Sequence, residues 1–250
     1  MSSLVLLALY LFGLGTGWLV GAIGVGGVLL VPALVLIGGM GVEAATPVAS
    51  LSFLFTGIAG TLAYALGGRL SWRVVIWLTV GAAPGAVAGA ATNVALSPRL
   101  ITVSIAVILV AAAVRVLRQG RESKAPRATI PSAAAHAVIG ALVGFASALT
   151  GTGGPVLLIP VMMLAGGATT AVIAAGQPIQ IPIALAATVG FLAFGEIDWP
   201  LGIGLGLSQA VGTVAGARFS HQSTAQRLQK LVTVALVVSA AIFVAKAVTA

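Results

Sequence analysis

The sequence predicts an all-α polytopic membrane protein made of two inverted-topology repeats of about five helical segments each. Three observations carry that prediction. The first is composition: 60% of the 250 residues are apolar and only 6% are charged, against about a quarter charged in a soluble domain. Twelve Lys/Arg and four Asp/Glu cannot furnish a water-facing surface, so lipid must be the main solvent of the outside. The second is the set of charge-free apolar runs at 3–23, 44–67, 74–96, 171–195 and 201–217. Each is near the roughly 20 residues a helix needs to cross hydrocarbon. The runs are continuous and do not alternate, which selects helices over barrel strands. The third observation is an internal repeat.

The repeat is legible residue by residue. Gly24-Val25-Gly26-Gly27, followed by an apolar run ending at Pro32, recurs as Gly151-Thr152-Gly153-Gly154-Pro155, followed by one ending at Pro160. Upstream, Gly13 and Gly17 match Gly140 and Gly144; downstream, Gly38-Gly39 match Gly166-Gly167. Thr46-Pro47 aligns with Gln177-Pro178, Gly68-x-x-x-Trp72 with Gly195-x-x-x-Trp199, Gly85-x-x-x-Gly89 with Gly212-x-x-x-Gly216, and Arg99-Leu100 with Arg227-Leu228. The first repeat is expected over residues 1–118, with segments near 3–23, 25–39, 44–67, 73–96 and 99–117. The second is expected over 132–250, with segments near 132–149, 154–166, 170–195, 200–219 and 225–247. A basic linker, 119–131, joins them. With its approach it holds Arg115, Arg118, Arg121, Lys124 and Arg127 against Glu122 alone, so the positive-inside rule puts it in the cytoplasm of an inner-membrane protein.

Charge distinguishes inverted from parallel halves. Before the fourth segment the first half carries Arg69 and Arg73, and the second carries Glu196 and Asp198. The turn before the last segment has Arg99 in the first half, but Arg218, Arg227 and Lys230 accompany it in the second. Inverted halves put ten of the twelve basic residues inside, whereas parallel halves strand several outside. Both termini are then expected outside. The N-terminus lacks a basic region ahead of Leu4 and does not read as a signal peptide. The same rule accounts for the net charge of +8 without nucleic acid as a partner. The absence of Cys excludes disulfides and thiolate metal sites.

The second segment is short in both halves and begins with Gly-x-Gly-Gly, where a chain bends readily. Such a break frees backbone N–H groups that protein, water or a ligand must satisfy. Where a half-helix follows, those donors and its dipole favour an anion. Matching glycine-interrupted segments in inverted halves are the sequence pointer to a transporter's midplane site. The alternative is close helix packing, and that is the reading for Gly13/Gly17/Gly21, Gly85/Gly89, Gly202/Gly206 and Gly212/Gly216, spaced four apart. The candidate substrate-binding residues are therefore Gly24, Gly26, Gly27, Gly151, Gly153 and Gly154. Six polar neighbours join them because polar groups within spans are costly: Thr46, Ser50, Thr150, Thr152, Gln177 and Gln180. Ser52 and Thr56 also punctuate the third segment, though Ser and Thr often bond back to their own helix. His136 lies near a helix start, where an interfacial histidine is expected ahead of a proton relay. Asn93 is a candidate bond between helices. Trp72, Trp77, Trp199 and Tyr64 fit interfacial belts. No catalytic or metal-binding constellation is present (no HExxH, no paired intramembrane Asp), and no cofactor is expected.

The Gly-x-Gly-Gly turn before an apolar run ending in Pro, repeated 127 residues later as Gly-Thr-Gly-Gly-Pro, resembles the TauE/SafE family of sulfite exporter-like permeases. Thr-Pro-Val-Ala-Ser-Leu at 46–51 and Gly-Gln-Pro-Ile-Gln at 176–180 carry the same resemblance, which extends over roughly 5–247. It implies a secondary transporter, an exporter by preference, of small organic or sulfur-containing anions such as sulfite or sulfonates, working by alternating access. An anion channel or uptake permease is the alternative, and a non-transporting membrane subunit a further one. Coupling to protons or sodium, and the oligomeric state, stay open. The two motifs differ at Val25 and Thr152, so the halves need not contribute equally.

Overall fold

A computed structural model describes residues 1–95, 97, 99–100, 103, 106–107, 110–111, 114, 132–192 and 197–249. The linker at 119–131, most of the segment near 99–117, Gly195 and Glu196 lie outside the described residues, as does the side chain of Asn93. The described residues form helices throughout, with no strand among them. In chain order these are α1 (Ser3–Ile23), a 3-10 turn (Gly27–Leu29), α2 (Leu30–Leu36), α3 (Val42–Leu66) and α4 (Trp72–Ala95). They continue with α5 (Ala133–Thr150), α6 (Pro155–Leu164), α7 (Thr169–Leu192), α8 (Trp199–Gln222) and α9 (Ala225–Thr249).

Local signals set the boundaries. Ser2, Ser132 and Asp198 accept from the backbone N–H three residues on, starting α1, α5 and α8; these are ordinary N-caps. Gly24 and Gly151 end α1 and α5 in the left-handed conformation, at φ +71° and +64°. That conformation is open to glycine and strained for other residues. Among the described residues, five helices are long and apolar enough to cross a bilayer: Ser3–Ile23, Glu43–Leu66, Trp72–Thr92, Ala133–Thr150 and Thr169–Leu192. The run at 201–217 falls in α8, which is not among the five. Gly202, Gly204, Gly206, Ser208, Gln209 and Thr213 lower its apolarity, and much of it faces other helices. The expected second segment, 25–39, is divided: a 3-10 turn precedes a helix of only seven residues.

The halves interlock reciprocally. The first helix of each packs along the fourth helix of the other, α1 on α8 and α4 on α5, while α3 and α7 cross between them. Small residues make this possible. A β-carbon built on Gly17 would lie 2.1 Å from the Gln209 carbonyl oxygen, and one on Gly21 would lie 2.0 Å from that of Thr213. The partner numbers rise together, so α1 and α8 run parallel. Gly81, Gly85 and Gly89 meet Ala137, Ala141 and Phe145 in the same sense, so α4 and α5 are parallel too. Gly57 instead meets Gln180 and Gly60 meets Gln177, so α3 and α7, equivalent in the repeat, run antiparallel.

Two side chains depart from their expected places. Tyr64 is fully buried, and its hydroxyl donates to the Gly21 carbonyl across 2.8 Å. It is a tie between α3 and α1, whereas Trp72, Trp77 and Trp199 remain 39–54% exposed, as belt residues would. His136 is 4% exposed although it sits in the first turn of α5. Tyr64 also lies edge-on to the His221 ring, 5.1 Å between centroids, and beside His136 the α4 backbone comes close, where Gly81 meets Ala137.

Candidate functional site

The two glycine turns meet. A β-carbon on Gly24 would lie 2.4 Å from Ile159 Cδ1 and 3.3 Å from Pro155 Cβ, at the start of α6. One on Gly27 would lie 3.1 Å from the Thr152 carbonyl oxygen and 3.0 Å from the Phe53 ring. The same ring faces Gly153, again at 3.0 Å, so Phe53 of α3 is wedged between the turns. A β-carbon on Gly151 would lie 2.8 Å from Thr46 Cγ2, and Thr46 is half-buried. All the candidate glycines are buried.

The second turn is the more contorted. After Gly151, Gly153 and Gly154 also have positive φ, +82° and +95°. The Gly154 carbonyl accepts from Leu157 and Leu158 to begin α6. Gly151 and Thr152 donate to the Ser147 carbonyl. Among the described residues, the N–H groups of Gly26, Gly153 and Gly154 donate to no protein acceptor. Buried backbone donors without partners are rare, and such amides at facing turns form a natural cradle for an oxyanion. Packing alone explains part of the glycine pattern, since a β-carbon on Gly26 would strike the Thr16 carbonyl oxygen at 2.2 Å. It does not explain the free amides.

A chain of side-chain hydrogen bonds ties the site together. Thr56 Oγ1 donates to Gln180 Oε1 (3.0 Å), Gln180 Nε2 to Gln177 Oε1 (3.3 Å), and Gln177 Nε2 to the Val20 carbonyl oxygen (3.0 Å). Gln177 Nε2 also reaches the Ile173 carbonyl oxygen at 3.4 Å. The chain thus joins α3, α7 and the last turn of α1, whose Val20 carbonyl also accepts from Gly24 N–H. Both glutamines are buried. In this conformation Gln177 gives one donor to Val20 of the other half and the second to its own helix at Ile173. Thr150 donates to the Ala146 carbonyl and shares a 3.0 Å contact with Thr152 Oγ1. Ser147 Oγ and Thr188 Oγ1 are buried with no partner among the described residues. Ser50 is buried on α3 and takes no part in the chain. Ser52 Oγ bonds back to its own helix at Ala49.

Sequence reasoning singles out the glycines and glutamines but not Phe53, which is one apolar residue in an apolar run. It also misses the Val20 carbonyl, which no side-chain pattern announces. No cluster of metal-ligating side chains occurs among the described residues, and the site is built from neutral donors.

The sequence pattern of the family described as "Sulfite exporter TauE/SafE" matches residues 6–243. A "Probable membrane transporter protein y4hK" from Sinorhizobium fredii (strain NBRC 101917 / NGR234) is 28% identical over 202 residues, covering 77% of this chain and 79% of the relative. No solved structure matches the chain.

Proposed function

The chain belongs to the sulfite exporter TauE/SafE family of membrane transporters, and on that premise we propose that it carries small sulfur-containing or organic anions such as sulfite or sulfonates. One observation carries the reading: two glycine turns from different halves face each other with unpaired buried N–H groups. Hydrogen bonds from backbone amides and hydroxyls suit a sulfur oxyanion and are strengthened by its charge. The residues of the site are Gly24, Gly26, Gly27, Gly151, Gly153 and Gly154, with Thr46, Ser50, Thr150, Thr152, Gln177 and Gln180 around them.

The mechanism in this reading is alternating access between two inverted repeats. Antiparallel α3 and α7 and the parallel cross-pairs α1/α8 and α4/α5 support that relation, and the Gln177 chain is a clasp that rearranges as the halves move. Both termini lie outside and the 119–131 linker lies in the cytoplasm. Export follows the field, since an anion leaving a cell negative inside gains roughly 2.3 kcal/mol per charge per 100 mV.

Purified protein in liposomes, screened with sulfite, sulfoacetate, taurine and carboxylates with and without a proton gradient, tests the proposal. Saturable flux of a sulfur oxyanion is expected. Flux that rises linearly with concentration would instead indicate a channel, and no flux of any anion would end the reading. Gln177→Ala leaves the Val20 carbonyl with fewer donors and Gln180 without its acceptor. Losing such a buried partner costs about 1–3 kcal/mol, which is a shift of roughly 5- to 150-fold in a conformational equilibrium. Its transport rate is expected to fall within that range.

A further inference from the structure

A cavity of about 350 Å³ opens between α4, α5, α6 and α7, with Ser71, Val74, His136, Met162, Gly167 and Ala175 among its walls. Three helices start at it, α4 at Trp72, α5 at Ala133 and α7 at Thr169, and helix N-termini carry partial positive charge. Its one ionisable wall residue is His136, 96% buried by its 4% exposure. His136 Nδ1 lies 3.0 Å from the Ser132 carbonyl oxygen. A carbonyl only accepts, so Nδ1 carries a proton in either charge state. Nε2 is left as the ring nitrogen for an occupant, without a partner among the described residues.

The elements around this ring bring no carboxylate to it. Helices α6 and α7 contain no ionisable side chain, α5 none besides His136, and α4 with its preceding turn brings Arg73 and Arg69. An imidazolium here has no anionic partner among the described residues; Arg73 lies two residues past Ser71, while the Arg69 guanidinium is taken up by the His221 carbonyl oxygen of α8 at 3.0 Å. A bound oxyanion supplies that counter-charge, so anion and proton binding reinforce each other. The cavity also leads toward the glycine turns. Along α7 it runs from Ala168 to Ala175, about 10 Å of helix. The next residue, Gly176, would place a β-carbon 3.1 Å from Pro155.

We propose that this cavity is the entry site for the transported anion and that His136 Nε2 binds one proton with it, which makes the protein a proton-coupled anion transporter in which a dianion still crosses with one net negative charge. The inference rests on the anion-transporter reading and adds to it the coupling ion and a residue that holds it.

Sulfoacetate is a suitable probe because it stays fully ionised from pH 6 to 8.5, so any pH dependence belongs to the protein. Wild-type protein is expected to bind it more weakly as pH rises from 6 to 8.5, by up to tenfold for each pH unit. Binding in weakly buffered solution should take up close to one proton per anion. His136→Asn should bind with an affinity independent of pH and no proton uptake, and should elute and melt as a folded protein. Ala175→Leu keeps the histidine and fills the cavity, so its affinity at pH 6 should fall at least tenfold. Wild-type pH dependence in His136→Asn, or wild-type affinity in Ala175→Leu, would overturn the proposal. So would a wild-type protein that binds sulfite but not sulfoacetate. If neither anion binds, the anion-transporter reading fails as well, so the two failures are told apart.

Discussion

Gly153→Leu is expected to lower sulfite and sulfonate transport in liposomes at least a hundredfold while the bundle still assembles. Gly153 sits at φ +82°, where an L-residue pays about 1–2 kcal/mol. Its new β-carbon would lie 3.0 Å from Phe53, and the rest of the leucine has only the space between the turns to fill. Phe53 also contacts Gly27, so displacing the ring disturbs both turns. Gly39→Leu separates strain from site. Gly39 has a similar φ of +66° and nothing within 4 Å of an added β-carbon, so transport should persist. Equal losses in the two variants would assign the effect to backbone strain and remove the turns as the substrate site.

The second large effect is on assembly. Gly21→Leu and Gly81→Leu would put a β-carbon 2.0 Å from the Thr213 carbonyl oxygen and 1.8 Å from that of Ala137. The obstacle in each case is backbone, which moves only if α1 separates from α8, or α4 from α5. Overpacking usually costs about 1–3 kcal/mol and sometimes more; these crossings belong at the upper end because no side chain can yield. Loss of monodisperse protein in detergent and a lower unfolding temperature are the expected readouts. Gly15 is exposed, with nothing within 4 Å of an added β-carbon. Gly15→Leu should therefore change stability by no more than about 0.5 kcal/mol. A Gly21→Leu protein as stable as Gly15→Leu would contradict the close crossing of α1 and α8.

Much of the fold is legible in the sequence. The glycines four apart in α1, α4 and α8 announce close crossings; Gly17/Gly21, Gly85/Gly89 and Gly212/Gly216 do face a neighbouring backbone, whereas Gly202 and Gly206 receive the side chains of Leu51 and Phe55. The Gly-x-Gly-Gly motifs announce breaks, and α1 and α5 both end at their first glycine. Tyr64 reads as interfacial because a tyrosine near the end of an apolar run looks the same whether its hydroxyl reaches water or the Gly21 carbonyl. His136 misleads for a similar reason, since nearness to a helix start says nothing about what covers it. Gln177 and Gln180 are recognisable as costly polar residues, but not as two links of one chain from Thr56 to Val20.

Composition by itself determined that this protein lives in lipid, and the duplicated motif determined where its helices break. Both follow from local chemistry, namely the cost of charge in hydrocarbon and the freedom of glycine backbone. Only the tertiary structure decided that α1 lies along α8, that the two breaks meet around Phe53, and that His136 lines a cavity. Those features join residues more than a hundred positions apart, or depend on how four helices leave space between them. No periodicity within one helix encodes its partner. That choice is made by the fit of one small-residue face against another backbone.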